Sequence, residues 1–414
     1  MKKSIKIRLI LTLIAFASII VCPTHIKAAD KTITFSDNNM YNAMKSQLKD
    51  RYVRVDDNNK SITMTEEAID NIKTLYISKM NITDLSGIEN FINLEILDIQ
   101  GNNITSIEKV PGEHLLSLSV SKIEDIKDIN LIENYNNLYS IEVDGSTLEE
   151  IPESMKKISN RLLAIEWTNG ALKTVSWVKD FQNLRTLRLE NNKISSLENL
   201  STLKSLSTLD LSGNNIENID EIGKCTELGT LELNDNNITS LDGISKLALI
   251  TLYAANNKIT DISTLNLGRL SLLDVSNNCI SNFDNIKDVA VDRNYKISGQ
   301  LIKFDINSGD KVEVPAMIDQ AKNFFEANSI ELLNCTISDG KCEIDESVTY
   351  ARIKINDGIM KDSMVYFNVT NVQLPGVTGK TINFTKTQII VIFEIVLIMF
   401  ISVLIIAKIK RKKN

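Results

Sequence analysis

Histidine is scarce in this sequence of 414 residues, which contains only His25 and His114. We expect His25 to be removed with a targeting segment, so the mature chain keeps one imidazole, which argues against His-dependent catalysis and His-based zinc sites. The sequence also lacks a nucleophile elbow, a phosphate-binding loop and a Cys–His pair with the spacing of a protease family. We therefore predict no enzymatic activity, no catalytic residue, no metal site and no cofactor.

An excess of positive charge is absent as well, because 46 Lys and Arg residues stand against 53 Asp and Glu residues. Removing the +5 of residues 1–29 and the +4 of residues 388–414 from the total of −7 leaves −16 for residues 30–387. This balance excludes a strongly basic nucleic-acid-binding protein, and the 43% of apolar residues exclude a wholly disordered chain. We predict no nucleic-acid partner.

Both ends of the chain carry targeting signals. Residues 1–29 combine early basic residues with an apolar run at 9–21, which predicts a secretory signal peptide too short to span a bilayer. Residues 389–407 form an apolar run of nineteen residues, followed by a basic tail at 408–414. At about 1.5 Å per residue this run covers a hydrocarbon core of about 30 Å. We predict a transmembrane helix over 388–407, a cytoplasmic tail and a single-pass cell-membrane protein whose larger part lies outside.

The middle of the chain repeats itself every 21 to 24 residues. The pattern L-x-x-L-x-L-x-x-N-x-I-x-x-L occurs ten times, starting at Ile72 and ending with the copy at Leu270. It predicts a leucine-rich-repeat solenoid over residues 72–297, with a short parallel strand, a tight turn and an extended or 3₁₀ return segment in each copy. The asparagine at the ninth position should satisfy buried backbone groups at the turn. These asparagines are Asn102, Asn192, Asn214, Asn236, Asn257 and Asn278.

Residues 115–175 depart from the repeat, since the third copy is shortened and Ser146 and Gly170 replace the asparagine in later copies. Drift in a tolerant scaffold and a local bend or binding feature are the two interpretations, and we favour drift. Residues 30–71 are predicted to form a helical cap, with helices over 37–48 and 65–72. Residues 55–62 superficially resemble a calcium loop, but Val55 and Lys60 occupy the positions of the first ligand and the required glycine.

After the last repeat the apolar period changes from 22 to 2, as in Ile302, Phe304 and Ile306. This alternation predicts a small immunoglobulin-like β-sandwich over residues 298–372. Cys335 and Cys342 flank the hairpin signal at residues 339–340, which could place their sulfurs across from one another. A disulfide and two unpaired thiols both remain as predictions.

Three features together resemble internalin-type leucine-rich-repeat surface proteins of Gram-positive bacteria. They are the segment at residues 33–41, the repeat sequence NNITSLDGI at 236–244 and the following β domain, and the resemblance covers residues 30 to about 372. It implies a helical cap, a curved repeat domain, a fused Ig-like domain and recognition of protein partners, often host receptors, on the concave face. Many relatives carry the motif L-P-x-T-G, through which sortase attaches them to the cell wall.

The corresponding segment lies in a linker at residues 373–387 and reads LPGVTG, with one residue too many between the proline and the threonine. A transpeptidase that reads an extended peptide should lose register at the Thr–Gly bond. We therefore favour retention in the membrane, and sortase-dependent wall anchoring is the alternative.

The residue between the second and third conserved apolar positions of each copy should point from the concave face into solvent. Six of the ten residues at this position are acidic, which favours a protein partner with a basic surface. The predicted partner-binding residues are Tyr76, Asp98, Glu142, Glu166, Arg188, Asp210, Glu232, Tyr253 and Asp274. We predict an adhesin-like protein-binding module at the cell surface, and a passive envelope spacer without a specific ligand is the alternative.

Overall fold

The computed structural model of the protein describes residues 30–285, 294–307, 310–323, 330–344, 348, 350–356 and 360–370. The chain divides into two compact units. Unit 1 comprises Met1–Thr147 and Pro152–Ile165, and unit 2 comprises Leu148–Ile151 and Glu166–Asn414. The predicted signal peptide, linker, membrane segment and tail lie outside the described residues.

Unit 1 begins with a cap that contains helices and a small sheet. Strands β1 (Asp30–Thr34), β2 (Arg54–Asp56) and β3 (Ser61–Thr65) form an antiparallel sheet with β3 in the centre. Helix α1 (Asn38–Gln47) follows β1, and helix α2 (Glu66–Asp70) follows β3. Both predicted helices are confirmed. The side chains of Asp37 and Thr65 cap them by accepting hydrogen bonds from backbone N–H groups of the first turn.

The sheet of the cap was not predicted. The segment that resembles a calcium loop forms the hairpin between β2 and β3, where Val55 lies opposite Ile62. Asp57 in its turn forms an ion pair of 2.5 Å with Lys45 of α1. The hairpin therefore binds the helix of the cap through a side-chain contact.

The repeats form a parallel sheet of eleven strands that follow one another in chain order. Unit 1 contributes β4 (Thr74–Tyr76), β5 (Ile96–Asp98), β6 (Ser117–Ser121) and β7 (Ser140–Asp144), and the unit boundary falls within β8 (Ala164–Thr168). Unit 2 contributes β9 (Thr186–Arg188), β10 (Thr208–Asp210), β11 (Thr230–Glu232), β12 (Thr251–Tyr253), β13 (Leu272–Asp274) and β14 (Asn294–Lys296). These strands confirm the predicted leucine-rich-repeat architecture.

The apolar positions of each repeat point into its core. In the copy around β10, Leu209, Leu211 and Ile216 are completely buried. Full burial of each such side chain contributes about 1.5–3 kcal/mol, so the repeating leucines supply the main driving force of the fold. The return segments contain the short helix α3 (Glu153–Lys157) and 3₁₀ helices at Ile88–Asn90, Ile123–Asp125, Ile129–Asn134, Ser176–Asp180, Leu200–Thr202, Ile222–Lys224 and Asp242–Ile244.

The predicted asparagine ladder is present. The buried amide of Asn214 donates to the carbonyls of Leu189 and Leu211, both at 2.9 Å, and its oxygen accepts from the N–H of Ile194 at 2.9 Å. Each asparagine therefore joins its own turn to the preceding coil. The same arrangement recurs at Asn102, Asn192, Asn236, Asn257 and Asn278.

Strand β14 belongs to an eleventh coil, which the sequence pattern did not reveal. In this coil Tyr295 replaces the strand leucine, and Gln300 replaces the ladder asparagine. The Gln300 side chain is fully buried, accepts from the N–H of Ile280 at 3.0 Å and donates to the carbonyl of Val275 at 2.8 Å. Its backbone N–H donates to the hydroxyl of Ser363 at 3.0 Å, so the last coil is bonded to the β domain that follows.

The β domain of unit 2 contains two sheets. One has the order β15 (Leu301–Asn307), β21 (Met364–Thr370), β20 (Tyr350–Ile355) and β17 (Ile330–Leu333), with β15 and β21 parallel. The other has the order β16 (Lys311–Glu313), β19 (Lys341–Ile344) and β18 (Cys335–Ser338). The strands predicted from the period of two are confirmed, whereas helix α4 (Ala316–Asn323) was not predicted. The Ig-like assignment stays a prediction.

The fold class predicted from the sequence is wrong in including a transmembrane helix. Within the part of the chain that the structure describes, no helix is long and apolar enough to cross a membrane. The longest described α-helix, α1, has 10 residues. At about 1.5 Å per residue such a helix covers roughly half of a hydrocarbon core of about 30 Å.

Candidate functional site

The outward residues of the unit 2 strands form a column, which we call the unit 2 column. It comprises Glu166, Arg188, Asp210, Glu232, Tyr253, Asp274 and Lys296. From β9 to β14 the members lie directly opposite one another on neighbouring strands. Neighbouring strands are about 4.8 Å apart, so each side chain lies within reach of the next. The predicted sites from Glu166 to Asp274 thus share one surface.

Both ends of the unit 2 column contain ion pairs. Arg188 lies 2.5 Å from a carboxylate oxygen of Glu166. Lys296 lies 3.5 Å from a carboxylate oxygen of Asp274, and sequence reasoning missed this lysine because the eleventh coil was not recognised. These pairs offset much of the negative charge at the two ends.

The middle of the unit 2 column holds two neighbouring carboxylates. Asp210 and Glu232 lie directly opposite each other on β10 and β11, and among the described residues neither forms an ion pair. Burial raises the pKa of Glu232, the charge of Asp210 raises it further, and Arg188 opposes this. Asp210 is 6% exposed and accepts a bond of 2.9 Å from the backbone N–H of Ser212. The column therefore concentrates its negative charge at these two residues, and Arg188 compensates it only in part.

Small and aromatic side chains border this acidic pair. Tyr253 is half-buried and lies directly opposite Glu232. Four half-buried threonines form the neighbouring outward column, in register with one another, and they are Thr186, Thr208, Thr230 and Thr251. Because threonine is short, it leaves the half-buried carboxylate of Glu232 accessible beside an aromatic ring, whereas Asp210 stays buried.

Unit 1 positions the other predicted residues on its own strands. Tyr76 is 55% exposed and lies directly opposite Asp98 on the next strand. Glu142 lies opposite Ser119, whose hydroxyl donates to its carboxylate at 2.9 Å. Every predicted partner-binding residue lies on its predicted strand, and three belong to unit 1 and six to unit 2. The expected exposure to solvent is wrong for Asp210 and Asp274, which are buried.

The irregular repeats of unit 1 expose apolar side chains that sequence reasoning did not single out. Tyr139 is 41% exposed and Leu163 is 37% exposed, and their backbones are hydrogen-bonded at 2.8 Å. Each directly follows the first conserved leucine of its copy, a position that could have been compared across the copies.

The turn of this region is held by Glu124, which accepts bonds from Ser146 and Thr147 at 2.7 Å. Burial alone would raise the pKa of Glu124, but these hydrogen bonds lower it overall.

The described residues contain no group of three or more His, Cys, Asp or Glu side chains arranged to hold a metal ion. The charged groups of the unit 2 column, the neighbouring hydroxyls and the aromatic ring are groups that form non-covalent contacts. This arrangement suits a surface that binds another molecule.

Comparison with known proteins identifies the repeats and the fold. Residues 70–112, 182–224 and 204–246 match the family model of leucine-rich repeats in two copies. The comparison with curated proteins gives no match. The crystal structure of an internalin (InlF) from Listeria monocytogenes is 23% identical with a TM-score of 0.52, over 65% of this chain and 78% of that chain. InlP from Listeria monocytogenes is 19% identical with a TM-score of 0.51, over 81% of this chain and 96% of that chain. These similarities show an internalin-type fold.

Proposed function

We propose that this internalin-type leucine-rich-repeat protein is a protein-binding module, and that the unit 2 column is its binding surface. The observation that carries the proposal is the contrast along the column: ion pairs occupy both ends, whereas Asp210 and Glu232 form none with the residues that the structure describes. Two like charges on neighbouring strands destabilise a sheet. A cationic partner would relieve this repulsion, whereas a surface with only a structural role could avoid it.

The chemistry of the column favours a partner with a basic surface. A Lys or Arg of the partner would face the carboxylate of Glu232, the more exposed member of the acidic pair, and Tyr253 would supply an aromatic contact of the kind that is common in interfaces. Complementary charge mainly raises the association rate and the specificity, and salt screens it over about 10 Å at 0.1 M. We infer that the partner is met outside the cell, in keeping with the signal peptide predicted for residues 1–29.

Crosslinking of the protein on living cells, followed by identification of the captured protein, supplies the partner and shows whether it belongs to a host. Binding is then compared between the parent and the double variant Asp210→Asn/Glu232→Gln. We expect the parent to associate more slowly as salt rises, and the variant to bind about 10- to 100-fold more weakly at low salt. The melting temperature should not fall, because the variant loses a repulsion.

The matched control is Glu217→Gln/Glu227→Gln, which removes the same charge from exposed positions of unit 2 outside the column. It should bind within about twofold of the parent, since surface charges distant from the contact are screened. Equal binding of the column variant and the parent would contradict the proposed surface. Failure to capture any saturable partner would favour the passive spacer instead.

A further inference from the structure

The hairpin of β18 and β19 places two cysteines on one face. Asp339 and Gly340 join the strands, both with positive φ (+47° and +75°), as a two-residue type I′ turn requires. Cys335 lies directly opposite Ile344, and Cys342 lies directly opposite Ile337. Because side chains alternate along a strand, Cys335 and Cys342 point to the same side as diagonal neighbours.

Both thiols are sheltered from solvent. Cys335 is 7% exposed and Cys342 is completely buried, and Cys335 lies close enough to raise the pKa of the Cys342 thiol. The Cys335 sulfur also lies 3.6 Å from the backbone carbonyl of Arg352, as a weak donor. The other two described cysteines do not share a hairpin. The thiol of Cys225 donates to the carbonyl of Leu200, and Cys279 lies in another coil.

We propose that Cys335 and Cys342 are joined as a disulfide once the chain has left the reducing cytoplasm, and that this bond ties β18 to β19. Diagonal neighbours on a hairpin have Cα atoms about 7–8 Å apart, so the strands must move slightly closer for the sulfurs to approach to about 2.05 Å. Strand β18 is an edge strand, and β19 is the central strand of its sheet. The bond would therefore hold the edge of the smaller sheet. This proposal does not depend on the identity of a binding partner.

The oxidant is the disulfide of a thiol–disulfide oxidoreductase met during export. The thiolate of Cys335 attacks one oxidant sulfur, and the other oxidant sulfur leaves as a thiolate. The thiolate of Cys342 then attacks the Cys335 sulfur, which forms the new S–S bond and releases the second oxidant thiolate. The two cysteines lose two electrons and two protons, and the oxidant ends as a dithiol.

Burial determines when this exchange can occur. Hydrogen bonding to Cys335 and burial raise the pKa of Cys342 far above its usual range, so the folded hairpin offers little thiolate. We expect the bond to form before the β domain is packed. Once formed, it should resist reductants in the native protein and be reduced quickly only after unfolding.

The test is alkylation of the full chain in denaturant, without reductant, followed by mass analysis of the peptides. In the exported protein Cys335 and Cys342 should escape alkylation and be about 2 Da lighter together than two thiols, through loss of two hydrogens. Cys225 and Cys279 should be alkylated in the same molecules and serve as the internal control. A chain retained in the cytoplasm should be alkylated at Cys335 and Cys342 as well as at Cys225 and Cys279. Alkylation of Cys335 and Cys342 in the exported protein would overturn the proposal.

A second measurement compares melting after unfolding and refolding with and without reductant. Reductant should lower the transition of the β domain by about 5 °C in the parent and in the control variant Cys279→Ala. The variant Cys335→Ala/Cys342→Ala should melt like the reduced parent and should not respond to reductant. A parent that melts identically under both conditions would also overturn the proposal. If the double variant fails to fold, the alkylation result still decides the question.

Discussion

The side chain of a single ladder asparagine forms hydrogen bonds with several backbone groups that a three-residue strand leaves without a backbone partner. The amide of Asn214 is buried and contacts three backbone groups from two successive coils at 2.9 Å. Removing one partner from a buried hydrogen bond leaves the other group unsatisfied, at a cost of about 1–3 kcal/mol. The ladder therefore stabilises the solenoid by satisfying polar groups that the leucines cannot.

We expect Asn214→Ala to destabilise its own coil and the preceding one by roughly 2–4 kcal/mol, because more than one bond is lost. Amide hydrogen exchange of β9 and β10 measures this loss, since these strands should exchange faster than β13. The neighbouring Asn215 is exposed, so Asn215→Ala is the matched control and should change exchange little. Equal effects of the two variants would show that the ladder has no special role.

At the residue scale the sequence predicted which strand position each residue occupies, but it did not predict which side chains form ion pairs. The ladder asparagines and the column residues follow from the period of the repeat, which assigns each residue an inward or outward direction. The ion pairs with Arg188 and Lys296 join side chains of different coils, and their side-chain geometry is not encoded in the period. Gln300 was missed because it is not an asparagine, although its longer side chain forms the same kind of hydrogen bonds to the backbone as the ladder asparagines.

At the scale of elements, Asp37 joins helix α1 of the cap to the first repeat of unit 1. One carboxylate oxygen caps α1 at Asn39 and Met40, and the other accepts from the N–H and the hydroxyl of Thr83, both at 2.8 Å. Burial alone would raise the pKa of Asp37, but these hydrogen bonds lower it below the ordinary value of 3.8. The charged form is therefore the one that the folded cap stabilises.

We expect Asp37→Ala to loosen α1 by about 1 kcal/mol at neutral pH, the usual value of an N-cap. A lowered folded pKa contributes stability that is complete above the unfolded value and is lost as pH falls through the folded value. The difference between variant and parent should thus shrink as pH falls below 3.8, the ordinary value. Hydrogen exchange of the α1 amides measures both effects, and Asp50→Ala at an exposed position is the control. A difference that persists unchanged at low pH would contradict the charged cap.

Elements with a strong apolar period were predictable, and those that depend on distant contacts were not. Helix α1 and strands β15, β20 and β21 show clear periods of apolar residues. Strand β14 has one buried residue, Tyr295, between two exposed polar ones, which is too short to produce a period. The hairpin of β2 and β3 was interpreted by its acidic turn, although its strands are defined by pairing with each other and with β1.

At the scale of the whole molecule, the proposed binding and the proposed disulfide both require export. Removal of residues 1–29 would keep every described pair between β1 and β3, from Asp30 opposite Thr65 to Thr34 opposite Ser61. A cleavage that leaves Asp30 in place would thus preserve the first strand. A cleavage several residues later would remove pairs that hold the cap sheet.

We therefore expect the mature protein to begin near Asp30 and to lie outside the cell, as the signal-like composition of residues 1–29 predicts. Sequencing of the N-terminal peptide checks the first expectation. Protease added to intact cells without their wall checks the second, since repeats outside the cell should be digested while a cytoplasmic marker survives. A matched chain without residues 2–29 should be resistant in the same cells, because it lacks the export signal. Recovery of a peptide that contains residues 9–21, together with protected repeats, would contradict export and would remove the oxidising environment that joining Cys335 to Cys342 requires.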